Sequence, residues 1–151
     1  MSYSPYNRAA LREELSRHEG RRPRMYKDSL GIETIGVGFN LQANPLPEDV
    51  IDRLLDDGIE TAEETLDHID KRWRLLDAER QRVLLNMAFN MGEARLRGFT
   101  RMWESLGAWF VTDSTDHLER AAVEMLDSTW ARQVGRRAQE LAARMRLRGQ
   151  K

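Results

Sequence analysis

The sequence contains no cysteine and no long apolar run. Without cysteine, the chain forms no disulfide and offers no thiolate as a nucleophile or metal ligand. No apolar stretch approaches the roughly 18 residues that a membrane-spanning helix needs, so we expect no stable membrane insertion. The first 20 residues also lack the apolar core of a signal peptide, because charged residues interrupt them. We therefore expect a protein without an export signal of its own.

The chain also lacks an excess of either positive or negative charge. The formal net charge is -1, although charged residues make up 32% of the 151 residues. This balance argues against bulk electrostatic binding to nucleic acid. The charges are nevertheless segregated, because residues 48–70 are strongly acidic and residues 130–151 strongly basic. A charge run is usually a solvated face, but the basic one is also a candidate for contact with an anionic polymer.

Several catalytic signatures are missing as well. The three histidines, His18, His68 and His117, lack the spacing of a metal-binding motif, and each is expected to lie on the surface. The glycines precede no helix and lysine of the kind that cradles a phosphate. No nucleophile elbow is present for a serine hydrolase. We expect neither a metal nor a cofactor.

The apolar pattern predicts an α+β chain that is mainly α. A first helix is expected to start at Ser4 and Pro5 and to end before Gly20. Residues 24–28 and 33–39 carry β-branched and aromatic side chains around a short turn, which predicts a two-stranded antiparallel hairpin.

Helices account for the rest of the chain. Residues 48–73 keep helical spacing over a length of nearly 40 Å at about 1.5 Å per residue. Asp77 is expected to cap a very apolar helix that ends at Gly92 and forms the centre of the core. A capping box is expected at Asp116, and a basic helix over residues 136–147.

The stretch from His18 to Asn40, HEGRRPRMYKDSLGIETIGVGFN, combines turn residues with two spaced carboxylates. Glu19 is expected at the end of the first helix, Asp28 at the end of the first strand and Thr34 early in the second. Two carboxyl groups across a cleft are suited to cleaving a glycosidic bond, and a neighbouring hydroxyl can hold the attacking water. Asp28 is equally compatible with simple turn chemistry.

This stretch resembles the signature of the phage-type lysozymes, glycoside hydrolase family 24. The shared pattern is a Glu-Gly after the first helix, then Tyr-x-Asp, then Thr-x-Gly-x-Gly, all at matching spacings. NMAFNMGEARLRGFT, residues 86–100, resembles the core helix and following turn of that family. DSTWARQVGRRA, residues 127–138, resembles more weakly the helix pair that closes its cleft.

The resemblance implies a role for each of eight residues. Glu19 would be the general acid, Asp28 would assist the attacking water, and Thr34 would position that water. The family is described as inverting, for which carboxyl groups stand roughly 6.5–9.5 Å apart. The candidate substrate-binding residues are Tyr26, Gly38, Asn40, Phe89 and Arg137. Phe89 would stack on a sugar, Arg137 would reach Glu19, and Gly38 is expected to let the glycan approach the backbone. Asn40 departs from the family pattern and would change one sugar contact.

The resemblance also implies a lysozyme-like fold and a biological setting. A single domain over residues 1–151 would contain a small β-lobe, residues 20–58, and a helical lobe, residues 1–19 and 59–151, joined by the long helix. The substrate would be the peptidoglycan glycan strand, cut between N-acetylmuramic acid and N-acetylglucosamine. We expect a monomeric phage endolysin that stays in the host cytoplasm until a holin-type partner releases it to the periplasm and cell wall.

Two other functions remain open from the residues alone. A non-catalytic glycan-binding module would keep a cleft, but it would not need Glu19, Asp28 and Thr34 together. A lytic transglycosylase would use a single glutamate and form an anhydro sugar, and it would need neither Asp28 nor Thr34.

Overall fold

The structure is a computed structural model that describes residues 6–146. Within these residues, eight α-helices and three short strands follow one another in the order α1, β1, β2, β3, α2 to α8. The elements are α1 (Arg8–Glu19), β1 (Arg22–Lys27), β2 (Glu33–Gly36), β3 (Phe39–Asn40), α2 (Glu48–Ile69), α3 (Ala78–Met91), α4 (Glu93–Arg97), α5 (Thr100–Thr112), α6 (Thr115–Leu126), α7 (Thr129–Val134) and α8 (Arg136–Arg146). The predicted α+β, mainly α class with a small antiparallel β-region is confirmed.

The chain divides into two compact units, Met1–Arg53 and Leu54–Lys151. The first unit contains α1, the sheet and the start of α2, and the second contains the remaining helices. The predicted single domain and its division into lobes at residues 20–58 stay a prediction.

Helix α1 begins with a polar cap and ends at a glycine. Asn7 adopts a left-handed backbone, and its side-chain oxygen accepts a hydrogen bond from the Ala10 amide at 3.2 Å. This satisfies one of the amides that a helix start leaves free. Gly20 ends the helix with φ near 78°, as its position in the sequence predicts. Ser4 and Pro5, the predicted start, lie outside the described residues.

The sheet has three antiparallel strands in the order β1-β2-β3. The prediction of only two strands is wrong, because the second run does not continue as one strand to Phe39. Gly36 and Gly38 have φ of 69° and 70°, and they reverse the chain so that Phe39 pairs with Ile35. Glycine adopts this backbone conformation without steric cost, which explains its presence on both sides of Val37.

The long helix α2 ends at Ile69, earlier than the sequence predicts. A short 3₁₀-helix, Lys71–Leu75, follows it, and the Asp70 side chain caps that helix by accepting from the Arg72 amide at 3.0 Å. Asp77 caps α3 as predicted, accepting from the Arg80 amide at 3.3 Å. No helix within residues 6–146 combines the length and apolar character that crossing a membrane would require.

Helix α3 contributes five buried apolar side chains to the core of the second unit, one more than α6 or α8. Helix α8 packs against α3 and α6, and α6 also packs against α5. Five methionines are among the buried side chains, and four of them have no exposed surface at all. These are Met87, Met91, Met102, Met125 and Met145. The predicted capping box at Asp116 is wrong, because α6 already starts at Thr115 with Ser114 as its cap.

Arg80 connects the start of α3 to the last turn of α8. The residue is only 2% exposed, and its Nε donates to the Met145 carbonyl at 2.6 Å while Nη1 donates to Asp77 Oδ1 at 2.8 Å. Burial alone would raise the pKa of Asp77, but hydrogen bonds from the side chain and backbone of Arg80 hold it below its ordinary value. A cation beside the last carbonyls of a helix also complements the helix dipole.

Replacing Arg80 by methionine is expected to lower the free energy of unfolding by about 3 kcal/mol, because it leaves the Asp77 carboxylate without its buried partner. The contribution of Asp77 is present above its unfolded pKa of about 3.9 and is lost as the pH falls through the lowered folded value. Urea denaturation at neutral pH measures the difference. The control is Arg82→Met on the same helix, whose exposed ion pair with Glu79 is worth at most about 1 kcal/mol. Equal losses in the two variants would contradict this role for Arg80.

Candidate functional site

Asp28 lies in a tight turn between β1 and β2 and uses one carboxylate oxygen to hold it. Its Oδ1 accepts from the amides of Leu30 at 2.8 Å and Ile32 at 2.9 Å. The backbone closes the same turn, because the Asp28 amide donates to the Ile32 carbonyl and the Gly31 amide to the Asp28 carbonyl, both at 2.9 Å. The other oxygen, Oδ2, takes part in neither bond, so the carboxylate retains an acceptor for chemistry.

Glu19, the last residue of α1, extends its carboxylate to the turn between β2 and β3. A Cβ atom added to Gly38 would lie 2.7 Å from Glu19 Oε2 and 3.0 Å from its Cδ. The carboxylate therefore occupies the space that a side chain at position 38 would need. Glu19 is exposed, and its carboxylate makes no hydrogen bond within residues 6–146. The prediction that Gly38 lets a glycan approach the backbone stays a prediction, and the side chain that lies against Gly38 is that of Glu19, the predicted general acid.

Replacing Gly38 by alanine is expected to move Glu19 and to lower the rate of cell-wall hydrolysis by about 100-fold, the effect of a misplacement near 1 Å. The matched control is Gly36→Ala, which has nearly the same φ but no atom within 4 Å of the new Cβ. Both variants should lose about 1 kcal/mol of stability from the left-handed backbone. The release of reducing ends and a thermal melt measure the two effects. Equal activities of the two variants would contradict the role of Gly38.

Three predicted site residues form one row across the sheet. Tyr26 pairs with Thr34, and Thr34 pairs with Asn40. Directly opposite residues in antiparallel strands have their Cβ atoms about 4.5–5.5 Å apart and share a face. Thr34, at the centre, is 4% exposed, and its hydroxyl donates to the Ile32 carbonyl at 2.9 Å. The row therefore stands next to the turn that holds Asp28.

The two outer members of the row have further contacts. The Arg22 guanidinium lies 4.3 Å from the centre of the Tyr26 ring, a cation–π contact that restrains the ring. Asn40 Oδ1 accepts from the amides of Gln42 and Ala43, both at 2.9 Å. The Asn40 side chain therefore stabilises the loop after β3, and its amide NH₂ group is the part left for a ligand.

Phe89 belongs to the second unit, on α3, and packs against the middle of α2. The ring is 49% exposed, and a Cβ added to Gly58 would lie 2.4 Å from its Cε2. A glycine in a helix interior costs about 1 kcal/mol relative to alanine. Because Gly58 has no side chain, the Phe89 ring can lie directly on the helix backbone. About half of the Phe89 surface faces solvent.

Arg137, also in the second unit, is held by a residue that the sequence analysis did not single out. Its Nε and Nη2 donate to Asn86 Oδ1 at 2.9 Å and 2.7 Å. One turn later on α3, Asn90 Oδ1 accepts from Trp130 Nε1 at 2.7 Å. The two asparagines thus attach α8 and α7 to α3 on either side of Phe89. Their only signal in the sequence is a polar pair four residues apart in an apolar helix.

The second unit also contains a cleft of about 560 Å³. Phe99 and Trp130 supply apolar surface there, and Arg95, Glu124 and Asp127 are among the charged lining residues. Met102 lies behind this surface and is completely buried, so its neighbours face any ligand.

Polar chemistry elsewhere in the second unit is structural. His68 Nδ1 lies 2.8 Å from Glu93 Oε1, and hydrogen bonds from His68 and then Arg97 hold the pKa of Glu93 below its ordinary value. Within residues 6–146, no three histidine, aspartate or glutamate side chains are arranged to hold a metal ion.

The family model of the phage lysozymes matches residues 16–146 of the chain. The chain belongs to the phage lysozyme family. It is therefore a glycoside hydrolase, a muramidase that degrades peptidoglycan, as the resemblance in its sequence predicts. The match includes every predicted site residue from Glu19 to Arg137.

In this phage lysozyme, the predicted site residues fall into two sets. Tyr26, Thr34 and Asn40 form the row described above, and Glu19 contacts Gly38 in the same unit, which also holds Asp28. Phe89 and Arg137 lie on α3 and α8 of the second unit. Their individual roles in catalysis and binding stay predictions.

Proposed function

We propose that this phage lysozyme hydrolyses the β-1,4 bond between N-acetylmuramic acid and N-acetylglucosamine with inversion at the anomeric carbon. The observation that supports it best is the Glu19 carboxylate held against Gly38 in the same compact unit as the Asp28 turn. Two carboxyl groups with different surroundings suit the two roles of glycoside hydrolysis.

Glu19 is the general acid in this proposal. Its carboxyl group gives a proton to the glycosidic oxygen as the bond to the anomeric carbon breaks. The Glu19 carboxylate is free of hydrogen bonds to residues 6–146, so no donor among them competes with the substrate for its oxygens. Contact with Gly38 limits the positions that the carboxyl group can adopt, which keeps the acid oriented toward one substrate atom.

Asp28 and Thr34 act on the water that attacks the opposite sugar face. Asp28 Oδ1 accepts two backbone amides, so Oδ2 takes the proton that the water loses. The Thr34 hydroxyl donates a hydrogen bond to the Ile32 carbonyl, and its oxygen therefore acts as an acceptor toward the same water. The water oxygen forms the new bond to carbon, and the proton on Asp28 returns to solvent.

The products of digestion test this function directly. Purified peptidoglycan sacculi are digested, and mass spectrometry of the fragments is expected to find reducing N-acetylmuramic acid ends. Anhydro ends would indicate a lytic transglycosylase, and the absence of new ends would indicate a binding module. NMR of the first product from a soluble glycan is expected to show the inverted anomer, and a retained anomer would overturn the inverting mechanism.

We further propose that the enzyme is a monomeric endolysin that remains in the host cytoplasm until a holin-type partner opens the membrane to the periplasm and cell wall. Family membership supports a role in ending a phage infection. Cells that express the protein should lyse only after the membrane is permeabilised, and light scattering should give the mass of one chain. Lysis without permeabilisation would contradict the need for a partner.

A further inference from the structure

Three arginines surround an open depression on α1 and the residues that follow it. Arg12, Arg17 and Arg21 line this depression of about 550 Å³ together with Ser16 and Glu13. All of these residues belong to the first unit, and the three arginines are exposed. We call this feature the arginine depression.

The guanidinium groups of the arginine depression have no carboxylate partner. Within the described residues none of the three takes part in an ion pair, and their one hydrogen bond runs from Arg21 Nη1 to Ser16 Oγ at 3.3 Å. Glu13 is the single carboxylate that lines the depression. Three positive charges therefore face one negative charge that none of them binds.

Among the described residues, seven arginines of the second unit are paired with carboxylates. Even in the basic helix α8, Arg144 pairs with Glu79 and Arg146 with Glu119. Other pairs in that unit are Arg72–Asp70, Arg74–Asp67, Arg80–Asp77, Arg82–Glu79 and Arg97–Glu93. Other arginines of the second unit, such as Arg120 and Arg136, form no ion pair within residues 6–146. The cleft that Arg95 and Arg101 line, however, also contains Glu124 and Asp127. The arginine depression instead combines three arginines with a single carboxylate.

Helix stability explains only part of this cluster. Cations in the last turn interact favourably with the negative end of the helix dipole, which accounts for Arg17. The effect fades beyond the last turn, so it does not account for Arg12, seven residues before Glu19. Like charges around one depression repel each other, and a bound anion would remove that repulsion.

We propose that the arginine depression binds carboxylates of the peptidoglycan stem peptides, an inference that rests on the function proposed above. Guanidinium groups bind planar carboxylates through two parallel hydrogen bonds, which favours this ligand over a neutral sugar. Helix α1 ends at Glu19, and Ser16 and Arg12 precede it along the axis by about 5 Å and 10 Å. An extended stem peptide of about four residues spans up to ~14 Å. When the glycosidic bond of a glycan strand lies at Glu19, the carboxylates of its stem peptide are thus within reach of the arginine depression.

Strand β1 continues the positive charge beyond Arg21. Arg22, Arg24 and Lys27 are exposed along it, and none forms an ion pair within residues 6–146. Residues 17–27 therefore contain five lysine and arginine side chains and one carboxylate, Glu19. Binding of the anionic substrate by this surface would concentrate the polymer at the proposed acid.

The test measures binding separately from hydrolysis. In the Glu19→Gln background, sedimentation with purified sacculi at low salt compares Arg12→Gln/Arg21→Gln with the control Arg120→Gln/Arg132→Gln. Both double variants change the net charge equally, and the control arginines are exposed in the second unit. We expect binding about three- to tenfold weaker for the first double variant, from two exposed ion pairs, and unchanged for the control. Equal binding of the two double variants would overturn the proposal.

A change in the ligand gives a second, independent comparison. In this comparison the peptide carboxylates of the sacculi are converted to amides. The parent protein should bind these amidated sacculi as weakly as Arg12→Gln/Arg21→Gln binds native sacculi. For Arg12→Gln/Arg21→Gln itself, amidation should cause no further loss of binding. An equal loss for both proteins would mean that the carboxylates bind elsewhere. Vesicles that contain phosphatidylglycerol test a membrane surface instead. A variant that loses vesicle binding but keeps sacculus binding would overturn the proposal.

Two further measurements exclude trivial explanations. Arg12→Lys/Arg21→Lys retains the charge without the guanidinium fork, and intermediate binding is expected; thermal melts check that all variants fold. The release of reducing ends by the enzyme with native Glu19 decides the proposed function on its own. If no ends are released, that function fails, whereas the sacculus comparison still decides whether the depression binds carboxylates.

Discussion

Glu19→Gln is expected to lower the rate of peptidoglycan hydrolysis by about 10²- to 10⁴-fold, because glutamine cannot donate a proton to the leaving oxygen. Stability should not change, since Glu19 is exposed and its carboxylate makes no hydrogen bond within the part of the chain that the structure describes. Glutamine has nearly the same shape and fits beside Gly38 as glutamate does. The measurement is the release of reducing ends from sacculi, together with the clearing of permeabilised Gram-negative cells.

The control for Glu19→Gln is Glu14→Gln. Glu14 lies on the same helix and is also exposed, so the substitution makes the same change of charge five residues away. We expect full activity from this control. If Glu19→Gln kept more than about a tenth of the parental rate, Glu19 would not be the general acid.

Asp28 is expected to show two separable effects, because its two oxygens have different tasks. Asp28→Asn keeps an Oδ1 atom that can accept from the Leu30 and Ile32 amides, so the turn should survive. The variant loses the charge that takes the proton from water, and we expect a rate about 10²- to 10³-fold lower. Asp28→Ala should lose the same activity and also about 1–2 kcal/mol of stability, since two amides lose their acceptor.

Asp70→Asn provides the matched control for this pair. Asp70 also accepts a backbone amide at the start of a helix, from Arg72 at 3.0 Å, but it belongs to the second unit. Asp70→Asn should retain activity. Urea denaturation measures the stability of Asp28→Asn, Asp28→Ala and Asp70→Asn. If Asp28→Asn kept high activity but lost stability, Asp28 would stabilise the turn without a role in catalysis.

The sequence alone predicts the parts of this fold that depend on local chemistry. Gly20 and Asp77 mark helix ends because glycine tolerates positive φ and aspartate accepts free amides, and both occur where expected. The two interpretations of Asp28, turn residue and chemical group, are compatible because each requires a different oxygen. The third strand was missed because Gly36 and Gly38 were assigned to a single irregular strand, although two such residues can also reverse the chain.

The contacts that sequence reasoning missed join positions far apart in the chain. Asn86 meets Arg137 across 51 residues, and Arg80 meets the Met145 carbonyl across 65. Local patterns contain no information about such partners. Arg80 in particular has the sequence pattern of an exposed arginine three residues after a capping aspartate, yet it is buried.

The five buried methionines of the second unit affect how that unit can change over generations. Methionine is unbranched and has several rotatable bonds, so it fills irregular gaps and adapts when a neighbour is exchanged. Swaps that conserve volume, such as methionine for leucine, usually cost less than about 1.5 kcal/mol. The interior can therefore drift through many apolar combinations, while Asn86, Asn90 and Arg80 supply the directional bonds that keep the helices in register.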